Sequence, residues 1–145
     1  MSELHPSFAF EVVRDLELLV SYQGRRNPSD EEWARYVEVL AHLHQGSNNY
    51  RYFTVSEGGH PSGSQQGRVK AVVNGRSPAV AIVSSSIAIR FVGSVLALVN
   101  PKVRCFKPEQ LELAYAHISV PARDIPRLNS IVARLREVVS ASAAA

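Results

Sequence analysis

The sequence predicts one α/β domain: a mixed sheet of four to five strands, opened by an N-terminal antiparallel hairpin and continued by parallel strands, flanked by helices and closed by an extra C-terminal helix. Three observations carry this prediction. Short runs of β-forming residues alternate with segments of 3.6-residue hydrophobic period. Helix-start signals recur just after those runs. Ala79 to Val83 (AVAIV) is a continuous apolar run, as expected of a strand covered on both faces.

Phe8 to Val13 and Leu16 to Tyr22 are rich in β-formers and are separated by Arg14 and Asp15, which predicts a hairpin with a tight turn. Ser29-Asp-Glu-Glu32 has capping-box spacing, since the serine hydroxyl and the glutamate carboxylate can satisfy free N–H groups at a helix start. Trp33, Tyr36, Val37, Leu40 and Leu43 then share one face, so a first helix runs to about Gly46. Tyr50 to Val55 alternates as a strand, and Gly58, Gly59, Pro61 and Gly63 mark a loop. Gln65 to Asn74 is a short helix carrying Val69, Val72 and Val73, closed by Gly75 and Pro78.

After the central strand, Ser84 to Ser86 supply N-cap candidates for a helix from Ile87 to Val99, ended by Asn100-Pro101. Val103 to Phe106 is the last strand. Pro108 opens a helix over Glu109 to His117, and Leu128, Ile131, Val132, Leu135, Val138 and Val139 form the stripe of a C-terminal helix. Strands joined through helices run parallel, with right-handed crossovers.

The chain has 145 residues, enough for one substantial core but not for two self-sufficient halves. Residues 1–139 are therefore read as one domain and 140–145, small and without a large apolar side chain, as a disordered tail. The longest apolar stretch, Ile87 to Val99, is broken by Arg90 and Gly93 and falls short of the roughly 20 residues a membrane span needs. The net charge is +3, but the sixteen Lys and Arg are scattered without a basic block, so no nucleic-acid partner is expected. One cysteine, Cys105, excludes an internal disulfide and a Cys-rich zinc site and points to a reducing compartment. The opening MSELHPSF lacks a basic region leading into an apolar one, so no secretory leader is expected and a cytoplasmic location is.

The order ββαβαβαβαα resembles the STAS fold of sulfate-transporter tails and anti-sigma-factor antagonists. The detailed likeness lies in Ala79 to Val120, AVAIVSSSIAIRFVGSVLALVNPKVRCFKPEQLELAYAHISV, which is similar to the part of STAS domains where a strand meets a serine-bearing turn, a buried helix, a short strand and a final helix. In antagonist members that turn carries an Asp-Ser-Ser-Gly type motif whose serine a partner kinase phosphorylates. Here it reads Val83-Ser84-Ser85-Ser86-Ile87, without the Asp or the Gly, so the motif is not intact. The resemblance implies a regulatory protein, and makes Leu128 to Val139 an addition to the family's closing helix.

Two places carry candidate functional residues. Ser84, Ser85 and Ser86, with Arg90 in the helix they open, are interaction or phosphoacceptor candidates; the competing role of the serines is helix capping. Gly58, Gly59, His60, Ser62 and Ser64 form a loop whose backbone N–H groups suit an anion, and turn chemistry accounts for the same residues. The loop matches neither a P-loop nor a dinucleotide fingerprint. Both places fall at the carboxyl edge of the parallel strands, where α/β sheets bind ligands.

His42 and His44, two apart on a helix, make a poor metal pair, and His5, His60 and His117 are isolated. Cys105, in an apolar run, reads as a small hydrophobe. Ser84, His60 and Asp124 lack the spacing of a nucleophile elbow. No catalytic residue, metal or cofactor is expected. The preferred function is a non-catalytic regulatory or scaffold protein acting through protein–protein interaction and modulated at the serine turn. The alternative is a small-ligand, anion or nucleotide binder using the Gly58 to Ser64 loop. The partner would be met through the serine-turn edge, the long third helix or the C-terminal helix. Self-association is expected on the exposed faces of the two C-terminal helices, because Leu128 to Val139 offers more apolar surface than a solvent-covering helix needs.

Overall fold

A computed structural model describes residues 2–4 and 7–144. Six strands form one mixed sheet in the order in which they occur in the chain: β1 (Ser2–Leu4), β2 (Phe8–Val13), β3 (Leu18–Gln23), β4 (Arg51–Ser56), β5 (Val80–Val83) and β6 (Val103–Phe106). The five strands expected from the sequence are present, and short β1 adds a sixth outside β2. β1, β2 and β3 pair antiparallel and the rest run parallel. His5 lies outside the described residues.

The hairpin differs from the expected tight turn. Arg14–Leu16 form a single 3-10 turn, and Glu17 adopts a left-handed backbone (φ 51°) to re-enter the sheet, so β3 starts at Leu18 rather than Leu16. The polarity of Arg14 and Asp15 marked the place but not the extra residues that the turn consumes.

Helix α1 (Asp30–Gly46) begins at the expected capping box: Ser29 Oγ accepts from Glu32 N, and Ser29 N donates to Glu32 Oε1, both at 3.1 Å. The other oxygen of Glu32 accepts from Ser7 N at 3.1 Å and Ser7 Oγ at 2.6 Å, which joins the start of β2 to the head of α1. Burial pushes the Glu32 carboxyl up, and these hydrogen bonds more than offset it, holding the group below its ordinary value. Helices α2 (Gly63–Val73) and α3 (Ile87–Val99) complete the crossovers, and α4 (Leu111–His117) and α5 (Ile125–Ala144) follow β6. Pro108–Gln110 form a separate 3-10 turn before α4. Helix α5 continues to Ala144, through most of the stretch expected to fray.

Right-handed crossovers between sequential neighbours leave their helices on one face of a sheet. Accordingly Phe8, Phe10, Val12, Leu19 and Tyr52 meet Trp33, Tyr36, Leu40 and Leu43 of α1, with Val69 and Val72 of α2 at the margin. Further along this face Gly93 of α3 sits over Cys105 and Ile82. The alternate residues Ala9, Val13, Leu18, Val20, Phe53, Ala81 and Phe106 face the other way, against α4 and α5. There Leu128, Ile131, Leu135 and Val139 are buried on β2 and β3. Full burial of each such side chain is worth about 1.5–3 kcal/mol. The C-terminal stripe is thus used up inside the chain, which removes the surplus on which self-association at Leu128 to Val139 was expected.

Candidate functional site

The candidate site lies at the carboxyl ends of β3, β4 and β5. Immediately after β5 the three serines take three different positions. Ser84 is buried; its hydroxyl donates to Ser56 O at 2.6 Å and accepts from Ser86 N at 3.1 Å, tying β5 to β4. Ser86 caps α3, its Oγ accepting from Ile89 N at 3.3 Å. Ser85 is exposed between them.

On the α4/α5 side of the serine turn lies a cleft of about 470 Å³. Tyr22, Val55 and Val83 project into it from the ends of the three strands; Leu111 and Tyr115 wall it from α4, and Val132 and Arg136 from α5. Arg25, Glu57 and Ser85 stand at its exposed rim. The Tyr115 hydroxyl donates to Asn129 Oδ1 at 2.6 Å, and burial pushes the phenol up to about 12. Tyr22 is fully buried, and its hydroxyl lies beside Glu57 and Arg136 without a hydrogen bond of good geometry among the described residues. Arg136 places its guanidinium 5.4 Å over the Tyr22 ring. Burial raises the Tyr22 pKa, Glu57 adds to the rise through hydrogen bonding and charge, and Arg136 opposes it in the same two ways. The phenol therefore stays protonated at neutral pH and is a ready donor.

The glycine loop does not line this cleft. Gly59 lies against the β3–α1 connection, where a Cβ would come within 2.3 Å of Arg26 O and 2.7 Å of Gly24 O, so only glycine fits. Gly58 uses a positive φ of 140° that L side chains rarely adopt. His60 N donates to Asn27 Oδ1, and the His60 ring faces Pro61 O. Ser62 caps α2 in a capping box with Gln65, and Ser64 is exposed in the first turn. These contacts describe a loop shaped by turns, caps and close packing. His60, Ser84 and Asp124 contact different partners: Pro61 O, Ser56 O and Arg123 respectively.

Helix α3 presents the largest departure from a quiet surface. Ile87, Phe91, Val95 and Leu98 project from its solvent side with 77, 69, 49 and 85% of their surfaces accessible, and Val99 with 65%. The family resemblance implied a buried helix here, while the residues themselves left it as one of the surfaces that could meet a partner. Only Ile89 and Gly93 are buried. Arg90, the helix's one charged residue, is half-buried, and its Nε finds no hydrogen-bond partner among the described residues. Burial pushes the neighbouring Cys105 thiol up, with Arg90 opposing, so the thiol is a poor nucleophile.

Sequence reasoning located the serine turn but missed Tyr22, Glu57 and Arg136. The signal for the first two was their place at strand ends facing the carboxyl edge; nothing local pointed to Arg136. Among the described residues no helix is long and apolar enough to cross a membrane. No family model, curated protein or solved structure matches the chain.

Proposed function

We propose that the chain is a non-catalytic protein-interaction domain, a regulatory scaffold that pairs with a second copy of itself through α3. One observation carries this reading: a predominantly apolar helix leaves its outer face, Ile87, Phe91, Val95, Leu98 and Val99, in water. Helices of that kind are normally enclosed, and a contiguous apolar patch of this size marks an interface.

At about 200 Å² for each fully accessible large side chain, the five exposed residues offer roughly 700 Å². A standard interface buries about 800 Å² per partner. The outer face is uncharged and has the small Ser94 between Phe91 and Leu98, so two copies related by a two-fold axis meet apolar surface with apolar surface and oppose no like charges. The STAS-like order of elements supports the regulatory sense of the reading. The serine turn supplies a means of control: a phosphate on exposed Ser85 puts about two negative charges beside Ile87, at the border of the paired face.

Sedimentation velocity over a dilution series tests the proposal. The expected result is a dimer at tens of micromolar that dissociates on dilution. Phe91→Glu with Leu98→Glu should give a monomer whose melting temperature matches that of the dilute parent, and Ser85→Asp should weaken pairing. A chain that stays monomeric at several hundred micromolar overturns self-pairing and leaves the face to an apolar helix of another protein.

A further inference from the structure

We infer that the cleft between the carboxyl edge of the sheet and helices α4 and α5 binds a small organic monoanion, a carboxylate carried on an apolar body. Nothing in this inference depends on pairing through α3, which uses the opposite side of the serine turn.

Four features of the cleft specify that ligand. Its volume, about 470 Å³, lies in the range of small-molecule sites. Val55, Val83, Leu111 and Val132 give it apolar walls suited to a hydrocarbon body. Tyr22 lines it, and its enclosed hydroxyl, beside Glu57 and Arg136, makes no hydrogen bond of good geometry among the described residues, an arrangement native structures rarely leave unused. Two guanidinium groups, Arg25 and Arg136, border it against one carboxylate, Glu57.

The charge count decides between anions. Two positive groups against one negative leave a single positive charge, which matches one carboxylate. A phosphate dianion would add a second negative charge facing Glu57. The planar fork of arginine fits a carboxylate through two parallel N–H···O bonds, and the protonated phenol supplies a third donor from the floor.

Two-dimensional ¹H–¹⁵N NMR with sodium hexanoate, hexan-1-ol and hexylamine as probes tests the site. Hexanoate should shift the amides of Glu57, Ser84, Ser85 and Leu111 saturably, while the alcohol and the amine bind at least tenfold more weakly. Arg136→Gln and Tyr22→Phe should each weaken hexanoate about tenfold, the loss expected of one charge-assisted hydrogen bond. Arg123→Gln, away from the cleft, should change nothing. If Tyr22→Phe fails to fold, the rim variant Arg136→Gln still decides. The inference is overturned if hexanol binds as well as hexanoate, if no amide shift saturates by millimolar concentrations, or if the shifts fall on α3 instead.

Discussion

Ser84, Ser85 and Ser86 are adjacent and chemically identical, yet each lives under a different constraint. Removing the Ser84 hydroxyl strips a buried carbonyl, Ser56 O, of a donor and Ser86 N of an acceptor, so Ser84→Ala should cost about 1–3 kcal/mol. Removing the Ser86 hydroxyl takes the cap from α3 and should cost about 1 kcal/mol. Ser85→Ala should fall within about 0.5 kcal/mol of the parent. Urea denaturation of the three variants gives the ranking directly; a larger loss at Ser85 than at Ser84 would contradict these assignments. The same geometry singles out Ser85 for modification, since a kinase needs an accessible hydroxyl and only this one lacks a structural task. The gap between "three serines" and "one free serine" is set by β4, whose carbonyl captures Ser84 from across the sheet.

Among the elements, α3 shows how a helix can be well defined at one contact and unsatisfied elsewhere. Gly93 is the point where it meets the sheet, and a Cβ there would stand 2.0 Å from Cys105 Sγ. Alanine gains about 1 kcal/mol of helix propensity over glycine, but overpacking costs about 1–3 kcal/mol. Gly93→Ala should therefore destabilise the parent and become stabilising in a Cys105→Ala background. Equal effects in both backgrounds, measured by urea titration, would show that the clash is relieved without loss. The span of α3 was legible from its serine cap and Asn100-Pro101 stop, and α1 from its capping box, because these signals lie within a few residues of each other. The exposure of α3 was not legible. Period and hydropathy say that a face is apolar, and only the sheet order reveals that α3 lies at the end of the array, over β6, with no further element beside it. The cleft was hidden for a related reason: Tyr22, Glu57 and Arg136 belong to three elements that meet only when α5 folds back across the sheet.

At the scale of the whole molecule, two polar side chains connect distant segments. Arg51 gathers the carbonyl oxygens of Leu16, Ile118 and Ser119, fastening the amino edge of the sheet to the end of α4. His44, buried on α1, meets Tyr52 Oη through Nε2 and receives Arg76 Nη1 at Nδ1, 3.2 Å away. Arg76 can only donate, so Nδ1 is the acceptor and the ring is neutral. Burial lowers the His44 pKa and the Arg76 charge adds to the effect. The folded state thus takes up a proton less readily than the unfolded chain. Stability from this group is fully present above the ordinary histidine pKa, about 6.5, and is lost as pH falls below it towards the lowered folded value. Thermal melts from pH 8 to pH 5 should show that decline, and His44→Gln should flatten it; an unchanged slope would assign the decline to other groups. A final consequence belongs to the order of the strands. Each strand pairs with its predecessor in the chain, so the sheet can be laid down strand by strand as the polypeptide is synthesised. Helix α5 breaks that pattern by returning to β2 and β3. The face holding Leu18 and Val20 therefore waits, fully formed but uncovered, until the last helix has been made, and that interval is when a nascent chain is most open to aggregation and most dependent on a chaperone.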